Sequence, residues 1–567
     1  MNDGAAAGHI GGAGLDVDSL NLMLDALEQF VAAALTPQRQ LQLDRDDSCP
    51  EDTVRAMSDP AQLGVQLVFV PAAYGGMDGG AFDAYRVCEV MARLDIGLAT
   101  AAFATFLGSD PILVGATEEQ KARWLGAIAE QGLVFAYGAT EPDAGSDLGA
   151  LKTIAQRVET DGRVTGYRLR GRKQWISNGS IADMTTVLAL APDGPSWFVV
   201  PRGTPGFSAG RPEDKHGLRL SNTAALYLDD VVVPADHLIG GVEGRGLVQA
   251  QQVFGYTRVM VAAFGLGGGW AALDRAIAYS QQRQQGGGPL SAKQGYTHKL
   301  IVPHAVRLEA ARSVVEHTAD ALDRGRGANG ALNTEGAIAK YIATEAGNAA
   351  ADAAIQAHGG YGYTREYVVE KIRRDVRITT IYEGTSEIME MTIARDRWQQ
   401  HLKSAGGFHR DQADRLAALH RRRPDVGAGD AALALQALGA ILEACRVARL
   451  TRSQHVLLRL GELIAHAEAA AQFAQRAAAV LDGAGHPKSP VRFDGEALAA
   501  MSRVFAREAA LKLGVDGTRW VAGAIDAGSA AIAPLIATIP HDRIRAAQAG
   551  LLADMDRVAD SLYARAA

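Results

Sequence analysis

The sequence lacks the means for a disulfide framework: 567 residues contain only three cysteines, Cys49, Cys88 and Cys445, odd in number and far apart. They form no CxxC metal site either, so a reducing, cytoplasmic setting is expected. Aromatics are scarce, at 6% against 48% hydrophobic residues overall. With 63 Gly and long Ala-rich stretches, the apolar content comes mainly from small and aliphatic side chains, which predicts closely packed helices. Neither charge sign is in large excess: 57 Lys and Arg against 64 Asp and Glu give a net charge of -7 and no global basic field for nucleic acid or anionic lipid. No run approaches the roughly 20 apolar residues needed to cross a bilayer. The apolar part of Ala530–Ile539 is short and stops at Pro540. The opening MNDGAAAGHIGGAG has no basic region and no apolar core, so residues 1–14 are expected to be a flexible leader rather than a signal peptide.

The length implies two to four domains. Helical spacing runs through residues 15–131, as in LMLDALEQFVAAAL (Leu22–Leu35). Residues 132–240 change to short runs rich in Val, Tyr, Thr, Trp and Phe between turn residues, which predicts a β-domain. A helical period returns over 245–402, and residues 410–567 form a further helical block. From His401 onward that block has 21 Lys and Arg against 17 Asp and Glu, a net +4 against -11 for the rest. The charges are interspersed, as on a solvated helical face.

Four stretches carry the chemistry. AYGATEPDAGSDLGALKT (Ala136–Thr153) runs a strand into a loop of small residues, whose backbone N–H groups and hydroxyls suit an oxygen-rich ligand as well as a plain turn. In GRKQWISNG (Gly171–Gly179), Trp175 reads either as core or as a flank for a planar ring. The glycines of QAHGGYGYTREY (Gln356–Tyr367) make a helix–helix turn or a close approach to a cofactor. In TTIYEGTSEIMEM (Thr379–Met391), Thr385 or Ser386 can N-cap a helix, which places Glu383 at its mouth. The helix dipole there favours the ionised carboxylate and burial against an apolar substrate favours the protonated one, so base strength would change on binding. Such a base suits abstraction of a weakly acidic carbon proton.

Together and in this order, these segments resemble the acyl-CoA dehydrogenase family of flavoproteins over residues 20–400. The resemblance implies a helical N-terminal domain, a middle β-barrel or sandwich and a C-terminal four-helix bundle, here with an extra helical domain as in very-long-chain-type members. It implies α,β-dehydrogenation of an acyl-CoA to the trans-2-enoyl-CoA with FAD, electrons passing to electron-transferring flavoprotein. Glu383 matches the catalytic base, and VFGYTRVMVAA (Val253–Ala263), where some members carry the base instead, has no carboxylate. By the same resemblance, Tyr137, Ala139, Thr140, Gly145 and Ser146 hold flavin, and Trp175, Ile176 and Ser177 lie along its ring. Arg283, Gln356, Gly359 and Gly360 match positions that reach a neighbouring subunit's FAD, while Thr385 and Glu387 follow the base and touch FAD. Ser146, Tyr256, Arg258 and Gly384 fall at the substrate, Tyr256 near the start of a helix, with the pocket floor from Phe103–Leu113 and the Tyr256 helix. After Arg283 the family has an aromatic residue and a short basic turn. Here RQQGGG predicts a flexible loop that closes on ligand or packs on the C-terminal block, or else a locally remodelled one.

The extra block, with RLGELIAHAEAAAQFAQRAAAVL (Arg459–Leu481) and VFAREAALKLGVDGTRWVAGAI (Val504–Ile525), has long amphipathic spacing and no catalytic constellation. The resemblance makes it a cap that leaves a homodimer, with a capped tetramer next. Two rival readings are an acyl-CoA oxidase using O2 and a flavin-containing nucleic-acid-binding stress protein on the same scaffold. The ending ARAA is not a peroxisomal address, and the mild +4 charge argues against nucleic acid.

Overall fold

The computed structural model describes residues 12–326, 332–524 and 533–565. Most of the expected leader, residues 1–11, lies outside the described residues, as does the start of the apolar Ala530–Ile539 stretch. The chain divides into two compact units: Met1–Gly268 with Ala319–Asn333 and Arg374–Ile378, and Gly269–Thr318 with Thr334–Arg373 and Thr379–Ala567.

The first unit opens with helices α1 (Val17–Ala34), α2 (Pro37–Asp46), α3 (Glu51–Ser58), α4 (Ala81–Leu94), α5 (Ile96–Gly115) and α6 (Glu118–Gln131). Their ends follow from sequence: Asp16 and Asp95 accept from backbone N–H groups as N-caps, and Thr117 with Gln120 makes a capping box. Then come strands β1 (Phe135–Gly138), β2 (Ile154–Thr160), β3 (Arg163–Ser177), β4 (Met184–Ala191), β5 (Gly194–Pro201), β6 (Phe207–Pro212) and β7 (Thr223–Pro234) in one sheet of order β1-β4-β2-β3-β7-β6, with β5 on β4. β1 runs parallel to β4, in register Phe135↔Met184, while β3 pairs antiparallel with β7 through two register shifts. One core gathers Trp124, Phe135, Leu188 and Trp197, another Tyr167, Leu169, Phe198 and Val231.

Helix α7 spans Gly246–Gln282. It therefore begins ten residues before Tyr256, at a glycine where an added Cβ would strike Leu188 and Pro195.

In the second unit, β8 (Gln284–Gln285) and β9 (Gly288–Pro289) form a hairpin. Gly286 and Gly287 both have positive φ (56° and 79°), as a two-residue hairpin turn requires, and Lys293 Nζ closes it on the Gly286 carbonyl at 2.8 Å. The triple glycine is thus a tight turn and not a flexible loop. The helices continue as α8 (Gln294–Leu300), α9 (Val302–Asp323), α10 (Asn333–His358), α11 (Val368–Val376) and α12 (Ser386–Lys403). The added block contributes α13 (Gly407–Arg422), α14 (Ala428–Val447), α15 (Gln454–Leu481), α16 (Gly495–Lys512), α17 (Thr518–Gly523), α18 (Ala533–Ile536), α19 (His541–Ala547) and α20 (Leu551–Leu562). Within Val504–Gly523 a π-turn at Leu513–Gly517 interrupts the α-helical period where Gly517 packs against Ile441, and Ile525 lies outside the described residues.

Ion pairs between a partly buried arginine and two buried carboxylates join α15 to α9. Arg476 of α15 meets Glu309 at 2.8 Å and Glu316 at 3.0 Å on α9, and Arg312 completes the group at 3.0 Å from Glu309. The guanidinium of Arg492 stacks on Trp270, 3.7 Å from the ring centroid. Among the described residues two helices, Ile96–Gly115 and Ala428–Val447, are long and apolar enough to span a bilayer, contrary to the reading of hydrophobic runs. Their apolar windows are 89% and 67% buried within the protein, as core helices are.

Candidate active site

In the first unit, β1 ends at Gly138 and the chain folds back at once, with the N–H of Glu141 bonded to the Ala144 carbonyl and the reverse, at 2.9 and 3.2 Å. A fully buried lysine anchors this loop from below. Lys173 Nζ donates to the Ala139 carbonyl at 3.1 Å and to Glu141 Oε1 at 2.7 Å, and the same carboxylate accepts from the N–H groups of Lys152 and Thr153 at 2.6 and 3.0 Å. Burial pushes Lys173 down to about 8. Burial works to raise Glu141, but Lys173 and the donors around it overcome this and hold the carboxyl below its ordinary value. The N–H of Gln174 bonds to the Thr140 carbonyl at 2.9 Å, so the strand carrying Trp175 and the Tyr137–Ser146 segment are one construction. Tyr137 packs on Trp197 with ring centroids 4.8 Å apart, and Ala139 is buried. Gly145 and Ser146 are exposed, and a Cβ built at Gly145 would meet no protein atom within 4 Å. The glycine therefore answers no packing need of the chain itself.

Trp175 sits at the second register shift of β3, with φ of +55°, and is 61% exposed. A bulge re-aims a side chain out of the sheet alternation, and the left-handed backbone at a bulky residue is strained. Ile176 is buried in the sheet core, Ser177 half-buried, and Asn178 donates to the Ala101 carbonyl at 2.8 Å, tying the strand end to α5. An exposed indole on a rigid strained strand, beside a loop with open space at its glycine, fits the expected planar cofactor ring.

Tyr256 and Arg258 are both buried on α7. The Tyr256 ring lies 5.4 Å from that of Phe106, and burial raises its phenol well above the usual value. Phe103 contacts Phe106 and Phe264 at 5.8 and 5.3 Å, so aromatic side chains fill this part of the expected pocket floor. Arg258 lies over Phe254 and donates to the backbone and side-chain oxygens of Asn333. A cavity of about 320 Å³ lies among Val114, Ile239, Arg245 and Gln249, and none of the expected site residues lines it.

In the second unit, Glu383 has φ of +54° and Gly384 +91°, immediately before α12. Thr385 is the N-cap, its hydroxyl accepting from the Ile388 N–H at 3.3 Å, and Glu387 is exposed in the first turn. Helix α10 holds the segment: Lys340 Nζ donates to the Gly384 carbonyl at 2.6 Å, the Ser386 hydroxyl to Glu345 at 2.5 Å, and Asn348 Nδ2 to the Thr379 hydroxyl at 3.3 Å. Arg283 lies exposed one turn beyond Tyr279, whose ring stacks on His358 with centroids 4.5 Å apart. Since His358 precedes Gly359 and Gly360, the structure brings Arg283 to the same region as Gln356, Gly359 and Gly360. A Cβ at Gly359 or Gly360 would meet nothing, whereas one at Gly362 would strike the Ile355 carbonyl. Two glycines of GGYG thus face open space and the third serves packing.

Family models described as acyl-CoA dehydrogenase N-terminal, middle and C-terminal domains match residues 18–132, 136–231 and 244–397. An acyl-CoA dehydrogenase of Bacillus subtilis is 36% identical over 380 residues, 66% of this chain and 96% of the relative. The chain belongs to the acyl-CoA dehydrogenase family. As such it is an oxidoreductase acting on acyl-CoA, with the helical, β and helical three-part fold. A chain in the structure of the electron-transferring flavoprotein of Acidaminococcus fermentans matches 67% of this acyl-CoA dehydrogenase and 98% of itself, at 32% identity and a TM-score of 0.62. An acyl-CoA dehydrogenase of Bacillus anthracis complexed with FAD covers 96% of this chain, with 95% of its own, at 22% identity and a TM-score of 0.79. That fold likeness extends through the added helical block.

Sequence reasoning missed Lys173, Glu141 and Lys340. The signals were present: a lysine two residues before Trp175 on a strand, and one inside the apolar run AIAKYIA (Ala337–Ala343). A lysine in an apolar run is buried only with a partner, and both partners lie more than thirty residues away.

Proposed function

We propose that this acyl-CoA dehydrogenase converts an acyl-CoA thioester to the trans-2-enoyl-CoA, with Glu383 as the base that takes the α-proton. The observation that carries this reading is the backbone at Glu383: a left-handed glutamate followed by a left-handed glycine at the mouth of α12. Strain of this kind is kept where the aim of a side chain matters. FAD is the cofactor, and when bound it supplies the acceptor for the β-hydrogen leaving as hydride. The segment from Tyr137 through Ala139, Thr140, Gly145 and Ser146 would hold it with backbone and hydroxyls, and Trp175, with the backbone of Ile176 and Ser177, would lie along its ring. Arg283, Gln356, Gly359, Gly360, Thr385 and Glu387 complete its contacts, the first four toward a second subunit. Tyr256, Arg258, Ser146 and Gly384 bound the substrate. The backbone N–H of Glu383 donates to the thioester carbonyl as negative charge develops there.

Electrons pass to an electron-transferring flavoprotein. The likeness to a chain in the structure of the electron-transferring flavoprotein of Acidaminococcus fermentans supports this. The working unit is a homodimer capped by residues 410–567, with residues 15–131, 132–240 and 245–402 as its three catalytic domains.

Anaerobic titration of the yellow protein with a panel of acyl-CoAs tests the reading. Bleaching of the flavin band is expected with at least one thioester, and no bleaching by any would sink it. Glu383→Gln should abolish bleaching while leaving flavin content intact. Rapid reoxidation of the bleached enzyme by air would instead make it an oxidase.

A further inference from the structure

The bend that presents Glu383 is not one its own residues prefer. A left-handed conformation at a glutamate persists only where the surroundings over-determine it, and α10 supplies those surroundings. Asn348 reaches the start of the segment at Thr379, Glu345 its far end at Ser386, and Lys340 the bend itself at the Gly384 carbonyl. Lys340 is fully buried. Lysine is almost never fully buried unless its ammonium is paired, and a charged donor at 2.6 Å makes a strong, short bond to a carbonyl. Thr344 and Asn348 bond to carbonyls of the same helix, so Lys340 projects from a regular, well-anchored turn.

We infer that Lys340 is a positioning residue for the base: its ammonium fixes the Gly384 carbonyl and, through that peptide, the bend that aims the Glu383 carboxylate. The inference rests on the reading of Glu383 as base, and it has Lys340 act on that base through the Gly384 peptide.

The test compares full-length Lys340→Met, Lys340→Gln and Glu383→Gln with the parent protein. Two quantities are read: the anaerobic bleaching rate with its KM, and backbone hydrogen exchange of the Thr379–Met391 peptide, the latter with and without flavin. Lys340→Met should lower the rate about a hundredfold with KM changed less than about threefold, as expected when a base is misplaced and binding is not. Exchange in the Thr379–Met391 peptide should rise about tenfold while the β-sheet peptides stay unchanged. Lys340→Gln, which keeps a neutral donor, should recover part of both. Parental exchange or a parental rate in Lys340→Met would overturn the inference. Should Lys340→Met not fold, Lys340→Gln carries both readouts, with intermediate values expected and parental values overturning. A fully active Glu383→Gln would sink the base reading, and faster exchange in Lys340→Met would still report the hold on the loop.

Discussion

Arg397 of α12 and Glu468 of α15 face each other through two contacts, Nε to Oε1 at 2.7 Å and the guanidinium NH2 to Oε2 at 2.9 Å, both side chains being nearly fully buried. The same guanidinium reaches Glu335 on α10 at 2.8 Å, and His409 Nε2 lies 3.3 Å from Glu468. The helix that starts beside the candidate base is thus fastened at its far half to the longest helix of the added block.

Breaking that pair should be costly because it strands a charge. Arg397→Met is expected to lower unfolding free energy by about 3–5 kcal/mol in urea titrations at neutral pH. Burial acts to raise Glu468, but Arg397 and His409 hold its carboxyl down at about 2 against 4.5 in the unfolded chain. Between those values the native protein carries fewer protons here than the unfolded chain, so the contribution is complete above 4.5 and lost as pH falls toward 2. Urea midpoints should therefore fall less steeply below pH 4.5 in Glu468→Gln than in the parent. Identical slopes would contradict this.

Lys173 gives a prediction at the alkaline end. As pH rises through about 8 its ammonium loses a proton, and Glu141 is left with its backbone donors. Flavin should then dialyse away faster above pH 8 than at pH 7, and Lys173→Met should lose it quickly at both with no step between. Global unfolding would not produce the same step. The folded value lies below the ordinary 10.5, so the unfolded chain binds more protons in that window and this group's contribution to stability rises with pH there.

Gly145 and Gly360 offer a sharper separation of ligand from fold. Added methyl groups at both would meet no protein atom, and neither residue has positive φ. Gly145→Ala and Gly360→Ala should leave the flavin-free melting temperature unchanged or slightly raised, as removing a glycine restricts the unfolded chain. Flavin retention by ultrafiltration should drop in both. Unaltered retention would mean that the cofactor does not approach these backbones.

Gly384 is the opposite case. Its φ of +91° disfavours any side chain, and a Cβ would come within 2.5 Å of Met389 Cε. The methionine tip can move, so the backbone carries most of the cost of Gly384→Ala, about 1–3 kcal/mol. Calorimetry should show that loss, and the bleaching rate should fall by more than the melting temperature alone would suggest.

The Thr140–Ser146, Trp175–Asn178 and Glu383–Thr385 segments could be singled out as candidates because each gathers its polar and small residues into a few consecutive positions. Their supports could not be. Lys173 and Glu141 are 32 positions apart, and Lys340 and Gly384 are 44 apart, distances over which periodicity carries no pairing information. Trp175 defied strand alternation because a bulge turned it outward, and only the backbone reveals that. The Gln284–Pro289 hairpin was within reach of sequence reasoning, since two adjacent glycines between short extended pairs are a known turn signal. The π-turn after α16 was not, for it depends on Gly517 meeting Ile441 from a distant helix.

The group formed by Arg476, Glu309, Glu316 and Arg312 makes the added block part of the charge balance of α9. Deleting the chain after Lys403 would remove Arg476 from beside two buried carboxylates, Glu309 and Glu316, and uncover the face of α9 that carries them. The charges of α9 are therefore balanced in part from residues 410–567, and that face and the added block stand or fall together.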